Sequence, residues 1–137
     1  MTRTGSGKKV DREFARGRLE NARAYLQAAR DAMELVAEKD NANPAMSQIV
    51  NAAIAYADAL TALRKSEKNQ KDHRAVVKAL REAFGNELPK AQESHLGRIL
   101  GIKEEVQYGA KRGRVDEARA LLSHLEKFAE WAEQQFV

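Results

Sequence analysis

The chain has 137 residues, enough for one bundle-sized core, and carries 24 Lys/Arg against 20 Asp/Glu, a formal net charge of +4. It has no cysteine, which excludes disulfides and thiolate metal sites and fits a reducing, cytoplasmic setting. The first 18 residues hold six cations and two anions, so the other 119 balance at eighteen of each and the basic excess is local to the N-terminus.

Residues 1–10 read as a flexible basic tail without the apolar segment of a secretory signal. Gly5-Ser6-Gly7-Lys8 follows no strand, so it is not a phosphate loop. Residues 11–137 read as one helical domain. The first helix is expected from Asp11 to Lys39, with Phe14, Ala22, Tyr25, Leu26, Ala29, Met33 and Val36 inward. Asn43 then fits an N-cap and Pro44 a first helical position. The second helix runs to Lys65 and is apolar around most of its circumference, as in a helix buried on several sides. Ser47, Gln48, Asn51, Asp58 and Thr61 interrupt it too often for a membrane span. Its breadth also predicts a symmetric homodimer, since large exposed apolar patches are rare on monomers.

Ser66 to Lys71 form a polar connection, and Asp72 is placed to cap a third helix that ends at Phe84-Gly85, with Val76, Val77, Leu80 and Phe84 inward. A fourth helix begins at Leu88-Pro89 and carries Leu96, Ile99, Leu100 and Val106 to a stop at Gly109. Asp116 opens the last helix, whose Ala118, Leu121, Leu122, Leu125, Phe128, Ala129, Ala132 and Phe136 recur at three- and four-residue steps. The fold class expected is therefore all-α, an antiparallel four-helix bundle with an additional shorter helix.

Four residues stand out as candidates for chemistry. Asp58 is the only charged residue between Pro44 and Leu63, so it must face water or meet a cation. His73 offers the ring best suited to proton transfer near neutrality, although a lone His at a helix start is commonly a capping or surface residue. Lys103 and Tyr108 sit five residues apart before Gly109, a cation and a hydroxyl at one helix end. As scaffold alone, Lys103 would reach for water and Tyr108 would fill the bundle end. The run Arg64, Lys68, Lys71, Arg74, Lys78 and Arg81 belongs to a stretch with seven cations and two anions, a candidate nucleic-acid surface. His124 and Trp131 mark a flank that is either an interface or the core edge beneath the first helix. No HExxH and no histidine pair one turn apart argues for a metal, and no cofactor is indicated.

The segment Leu100-Gly101-Ile102-Lys103-Glu104-Glu105-Val106-Gln107-Tyr108-Gly109, followed by the helix at Asp116, resembles the C-terminal half of HEPN domains, and Asp72-His73-Arg74 is similar to a triplet at their third helix. In that family an Arg and a His separated by four to six residues cleave RNA. The matching positions here are Lys103 and Tyr108, so the scaffold is kept and the catalytic pair changed. A lysine is a point charge without the fork of Arg, and a phenol, with a pKa of roughly 10 in model peptides, is a poor base at neutral pH. The resemblance implies an RNA- or nucleotide-associated protein of a toxin–antitoxin or defence system, partnered by a nucleotidyltransferase-type antitoxin, with little or no nuclease activity. Two alternatives stand beside it: a noncatalytic protein-interaction or dimerisation module, and a metal-independent ribonuclease using His73 with Lys103.

Overall fold

Helix α2 is the axis of the molecule, and its position follows from what it has to bury. The computed structural model describes residues 7–9, 12–65, 67–69, 74–103, 106 and 108–137. In chain order these form strand β1 (Gly7–Lys9), helix α1 (Arg12–Leu35), α2 (Asn43–Lys65), strand β2 (Glu67–Asn69), α3 (Arg74–Phe84), a 3-10 turn (Gly85–Glu87), α4 (Lys90–Gly101) and α5 (Val115–Gln134). Thirteen residues of α2 are buried, from Ala45 to Ala62, and α1, α3, α4 and α5 all pack against it. Alanine at 52, 53, 55, 57, 59 and 62 keeps the α2 surface low, so larger side chains from the other helices fill the space. Leu80, Leu96, Ile99, Leu125 and Phe128 do this with essentially no exposure. Each such side chain is worth about 1.5–3 kcal/mol of burial.

The helical bundle and its five principal helices agree with the periodicity. One departure is the two-stranded antiparallel ribbon, in which Gly7, Lys8 and Lys9 pair with Asn69, Lys68 and Glu67. It draws on two segments whose polar composition suggested only a basic tail and a connection. A second departure is the inner stripe of α1, which runs through Ala15, Leu19, Ala22, Leu26 and Ala29, at alternating steps of four and three. Tyr25, expected inward, is 37% exposed. The helix also stops at Leu35 instead of Lys39. The Asp40 carboxylate accepts the Ala37 N–H at 2.7 Å, and Asp40 N–H donates to the Ala37 carbonyl at 2.8 Å, a local turn that competes with further helix.

The start of α2 is held by Asn41, not by Asn43 as the spacing suggested. Asn41 Oδ1 accepts from the Asn43 N–H at 3.0 Å and from the Gly113 N–H at 3.2 Å. Ala42 N–H donates to the Gly113 carbonyl, and Asn43 Nδ2 donates to the Lys111 carbonyl. Three of these four bonds tie the segment before α5 to the head of α2. Gly113 is needed there, because a Cβ would lie 2.3 Å from Asn43 Oδ1 and 2.8 Å from Met46 Sδ. At α5 the first-turn acid Asp116 pairs with Arg114, and Glu117 is the residue that accepts the Arg114 N–H. Asp116 thus supports the helix start from within the first turn.

A polar triad locks α1, α2 and α5 together. Arg23 donates to both Glu133 oxygens at 2.6 and 2.7 Å, and the buried Tyr56 hydroxyl donates to Glu133 Oε2 at 3.4 Å. The arginine bond holds the Glu133 carboxyl below its ordinary range. Burial first, then the adjacent carboxylate, push the Tyr56 phenol up to about 12.

Two predictions follow from this packing. Gly113→Ala should lower unfolding stability by about 1–3 kcal/mol, seen as a lower urea midpoint at unchanged slope. The raised Tyr56 pKa contributes stability that is complete below the phenol's unfolded value of about 10 and lost as pH rises toward 12. Tyr56→Phe should therefore flatten the alkaline side of the stability–pH curve, and an unchanged curve would show that Tyr56 is not its source.

Candidate functional site

The segment that joins α4 to α5 brings Lys103 and Tyr108 together. Past Gly101 the chain keeps a helical bond from Val106 N–H to the Ile102 carbonyl, which carries Lys103 to the inner side of the corner. Lys103 is buried, at 8% exposure, and its Nζ lies 4.9 Å from the centroid of the Tyr108 ring. Tyr108 is 75% exposed. The two therefore exchange the places a scaffold pair would take, with the cation inside and the aromatic outside. An ammonium over a ring is a cation–π contact worth about 0.5–2 kcal/mol. Lys111 and Arg112 follow on the exposed side, and neither side chain has an acidic partner among the described residues. Arg112 and Gly113 also border a groove shared with Glu38, Asp40 and Asp116, where Arg114 is already taken by Asp116.

The other expected site residues lie apart from this corner. Asp58 meets Arg18 of α1, with Oδ2 3.1 Å from the guanidinium, and both side chains are half-buried. Burial raises the Asp58 pKa and Arg18 opposes that shift. The pair answers the question the sequence posed about Asp58, with a structural cation. His73 and Lys71 lie outside the described residues, as do the side chains of Lys68 and Arg74. Of the remaining cation run, Arg64 pairs with Glu87 and stacks over Phe84 at 4.4 Å, and Arg81 pairs with Glu93. Lys78 is exposed. Two of these cations thus face carboxylates on the 3-10 turn and α4, leaving less open positive surface than the count of charges suggested.

The His124 and Trp131 flank also resolves. Trp131 packs on Phe84 with ring centroids 5.4 Å apart and on Phe128 at 6.0 Å, so it closes the core edge at α3, not beneath α1. His124 instead meets His95 of α4, Nδ1 to Nδ1 at 2.9 Å. Sequence reading missed this pair because the two histidines are 29 residues apart and each looks isolated on its own helix. The signal available was their common place on the polar flank of two consecutive helices. No group of three or more His, Cys, Asp or Glu that could hold a metal occurs among the described residues. No helix among them is long and apolar enough to cross a membrane.

The exposed large hydrophobics among the described residues are Tyr25, Leu35, Tyr108 and Val137, and none belongs to α2. The apolar breadth of α2 that suggested a dimer is consumed inside one chain.

Burial first, then the charges of Lys127 and Arg98, lower the pKa of His95, and burial with the same cations and His95 itself lowers that of His124. Both folded values lie below the unfolded value of about 6.5, so the neutral pair contributes stability that is complete above that pH and lost as pH falls through the folded values. An acid-side decline in the unfolding midpoint, reduced in His95→Gln, is the expected result. An identical decline in the variant would assign it to carboxylates instead.

Compared with family models and with curated proteins, the chain matches none.

Proposed function

We propose that this protein is an RNA- or nucleotide-associated helical bundle of HEPN-like, antiparallel four-helix design, with little or no nuclease activity. The observation that carries this reading is the exposed Tyr108 ring backed by the Lys103 ammonium, with Lys111 and Arg112 beside it in sequence and free of carboxylates among the described residues. An exposed aromatic stacks a nucleobase without regard to its identity, and flanking cations meet the phosphates. Lys103 strengthens the platform from below. The resemblance of residues 100–109 to the family's C-terminal half supports the same corner as the functional end. It also supports membership of a toxin–antitoxin or defence system with a nucleotidyltransferase-type partner, and a homodimer formed through a surface other than α2.

Cleavage is not expected from this corner. Lys103 is turned into the protein beneath a ring, and a phenol stands where the family places an imidazole. The ribonuclease alternative rests on His73, and the protein-interaction alternative loses its main support now that the α2 face is internal.

Single-stranded RNA should bind weakly, with an affinity that falls steeply with salt, as in phosphate-dominated association. Tyr108→Ala should weaken binding by about 1–3 kcal/mol, the range for loss of one stacking platform. Fluorescence anisotropy on an unstructured oligonucleotide reads both effects, and a Tyr108→Ala protein that binds like wild type would remove the platform. On a mixed RNA pool without added metal, wild type, Lys103→Ala and His73→Ala should all leave the RNA intact. Robust cleavage by wild type, lost in both variants, would replace this reading with the ribonuclease.

A further inference from the structure

Outside the Tyr108 corner, the contact between His95 and His124 is the one place among the described residues where two titratable rings from different helices touch. Their Nδ1 atoms are 2.9 Å apart, the ring centroids 5.1 Å, and the planes are tilted by 44°. Nitrogens that close require a proton on one and a lone pair on the other. The opposite edges of the rings are then determined. In the neutral pair, the ring that donates through Nδ1 has a bare Nε2, and its neighbour carries Nε2–H. One added proton goes to the bare Nε2, leaving the Nδ1–H···Nδ1 bond unbroken. The pair then holds one positive charge and offers two Nε2–H donors. A second added proton would set N–H against N–H and break the contact.

The surroundings select the kind of ligand such a pair can take. Arg98 lies one turn beyond His95 on α4, and Lys127 one turn beyond His124 on α5, and both rings feel both charges. The acids next along the two helices are occupied: Glu93 pairs with Arg81 and Glu126 with Arg30. Neither Arg98 nor Lys127 has a carboxylate partner among the described residues, and both are exposed. A divalent metal would find two imidazoles, no third ligand among the described residues and two repelling cations. An oxyanion would find donors and charge of the right sign.

We propose that His95, His124, Arg98 and Lys127 form a proton-gated site for a phosphate-type oxyanion on the α4–α5 face. The site is separate from the Tyr108 corner and does not depend on the function proposed for it. Its gate is the single proton that turns a mixed donor–acceptor edge into a double donor. Binding and protonation are therefore linked, each favouring the other.

Proton NMR of the imidazole C–H resonances tests this on the full chain. Sulfate is the first probe, because it stays dianionic throughout the histidine range and so reports the protein's protonation alone. At matched ionic strength, sulfate relative to chloride should raise the apparent pKa of His95 and His124. Sulfate affinity should strengthen about tenfold per pH unit on the alkaline side of the pair's titration, the slope for uptake of one proton. In Arg98→Ala/Lys127→Ala the two histidines should titrate higher in chloride, which shows that they remain folded and relieved of repulsion, while the sulfate response falls severalfold. Inorganic phosphate and a nucleoside 5′-monophosphate then distinguish a free anion from an esterified one by which binds more tightly. Identical titrations in sulfate and chloride would overturn the site. So would an undiminished sulfate shift in Arg98→Ala/Lys127→Ala, which marks a generic salt effect, or a response to micromolar nickel without one to sulfate.

Discussion

Every other helix takes its position from the alanine-rich surface of α2. Ala52, Ala53, Ala55, Ala57, Ala59 and Ala62 contribute little burial of their own. Their value is negative space: they let α1, α3, α4 and α5 approach one axis closely enough for Leu, Ile and Phe side chains to meet around it. A core built this way is intolerant of enlargement along α2, since an added methylene displaces a whole neighbouring helix and not merely a side chain. The same crowding explains why Asp58 and Tyr56, polar groups at the margin of α2, take partners from other helices.

Those partners come from α1 and α5. Arg18 reaches Asp58, and Arg23 reaches Glu133 beside the Tyr56 hydroxyl. Ion pairs on an open surface contribute little, but these two fasten polar atoms at the margin of the core, where leaving one partner alone would strand a half-buried charge. They also fix how α1 lies on α2. The alternating stripe of Ala15, Leu19, Ala22, Leu26 and Ala29 fits a neighbouring helix along its length, and the arginines on its flank set the register. Peripheral pairs such as Arg30–Glu126 and Arg119–Glu38 add surface order of lesser weight.

The helices were legible in the sequence because breakers and lapses of periodicity coincide: Asn43-Pro44, Gly85 at φ 55° and the Gly-rich connection before Val115 all fall where helices begin or end. The core residues of α2, α3 and α5 were legible for the same reason. What composition hid was partner choice. Asn43 has good capping chemistry, yet Asn41 does the capping because its oxygen can reach Gly113 as well, a residue 72 positions away. Tyr25 looked internal by hydrophobicity, but the α1 stripe turns it aside. At the candidate site Lys103 Nζ lies 4.9 Å from the Tyr108 ring centroid, while which of the two is buried depends on how the chain turns after Gly101. The histidine contact was invisible for a simpler reason: one-dimensional spacing carries no information on which flank of α4 faces which flank of α5.

The junction around Asn41 has a consequence for recognition. The backbone of Lys111 and Gly113 is bonded to Asn43, Ala42 and Asn41, so the loop that carries Lys111 and Arg112 is moored to the most deeply buried helix of the protein. Surface loops that gather a ligand usually lose conformational entropy when they do so, and that loss is subtracted from affinity. Here most of the ordering has already happened during folding. A molecule meeting this corner would restrict two side chains and little main chain. Its arrival would also be felt at the N-terminus of α2, because the loop has no freedom to shift without it.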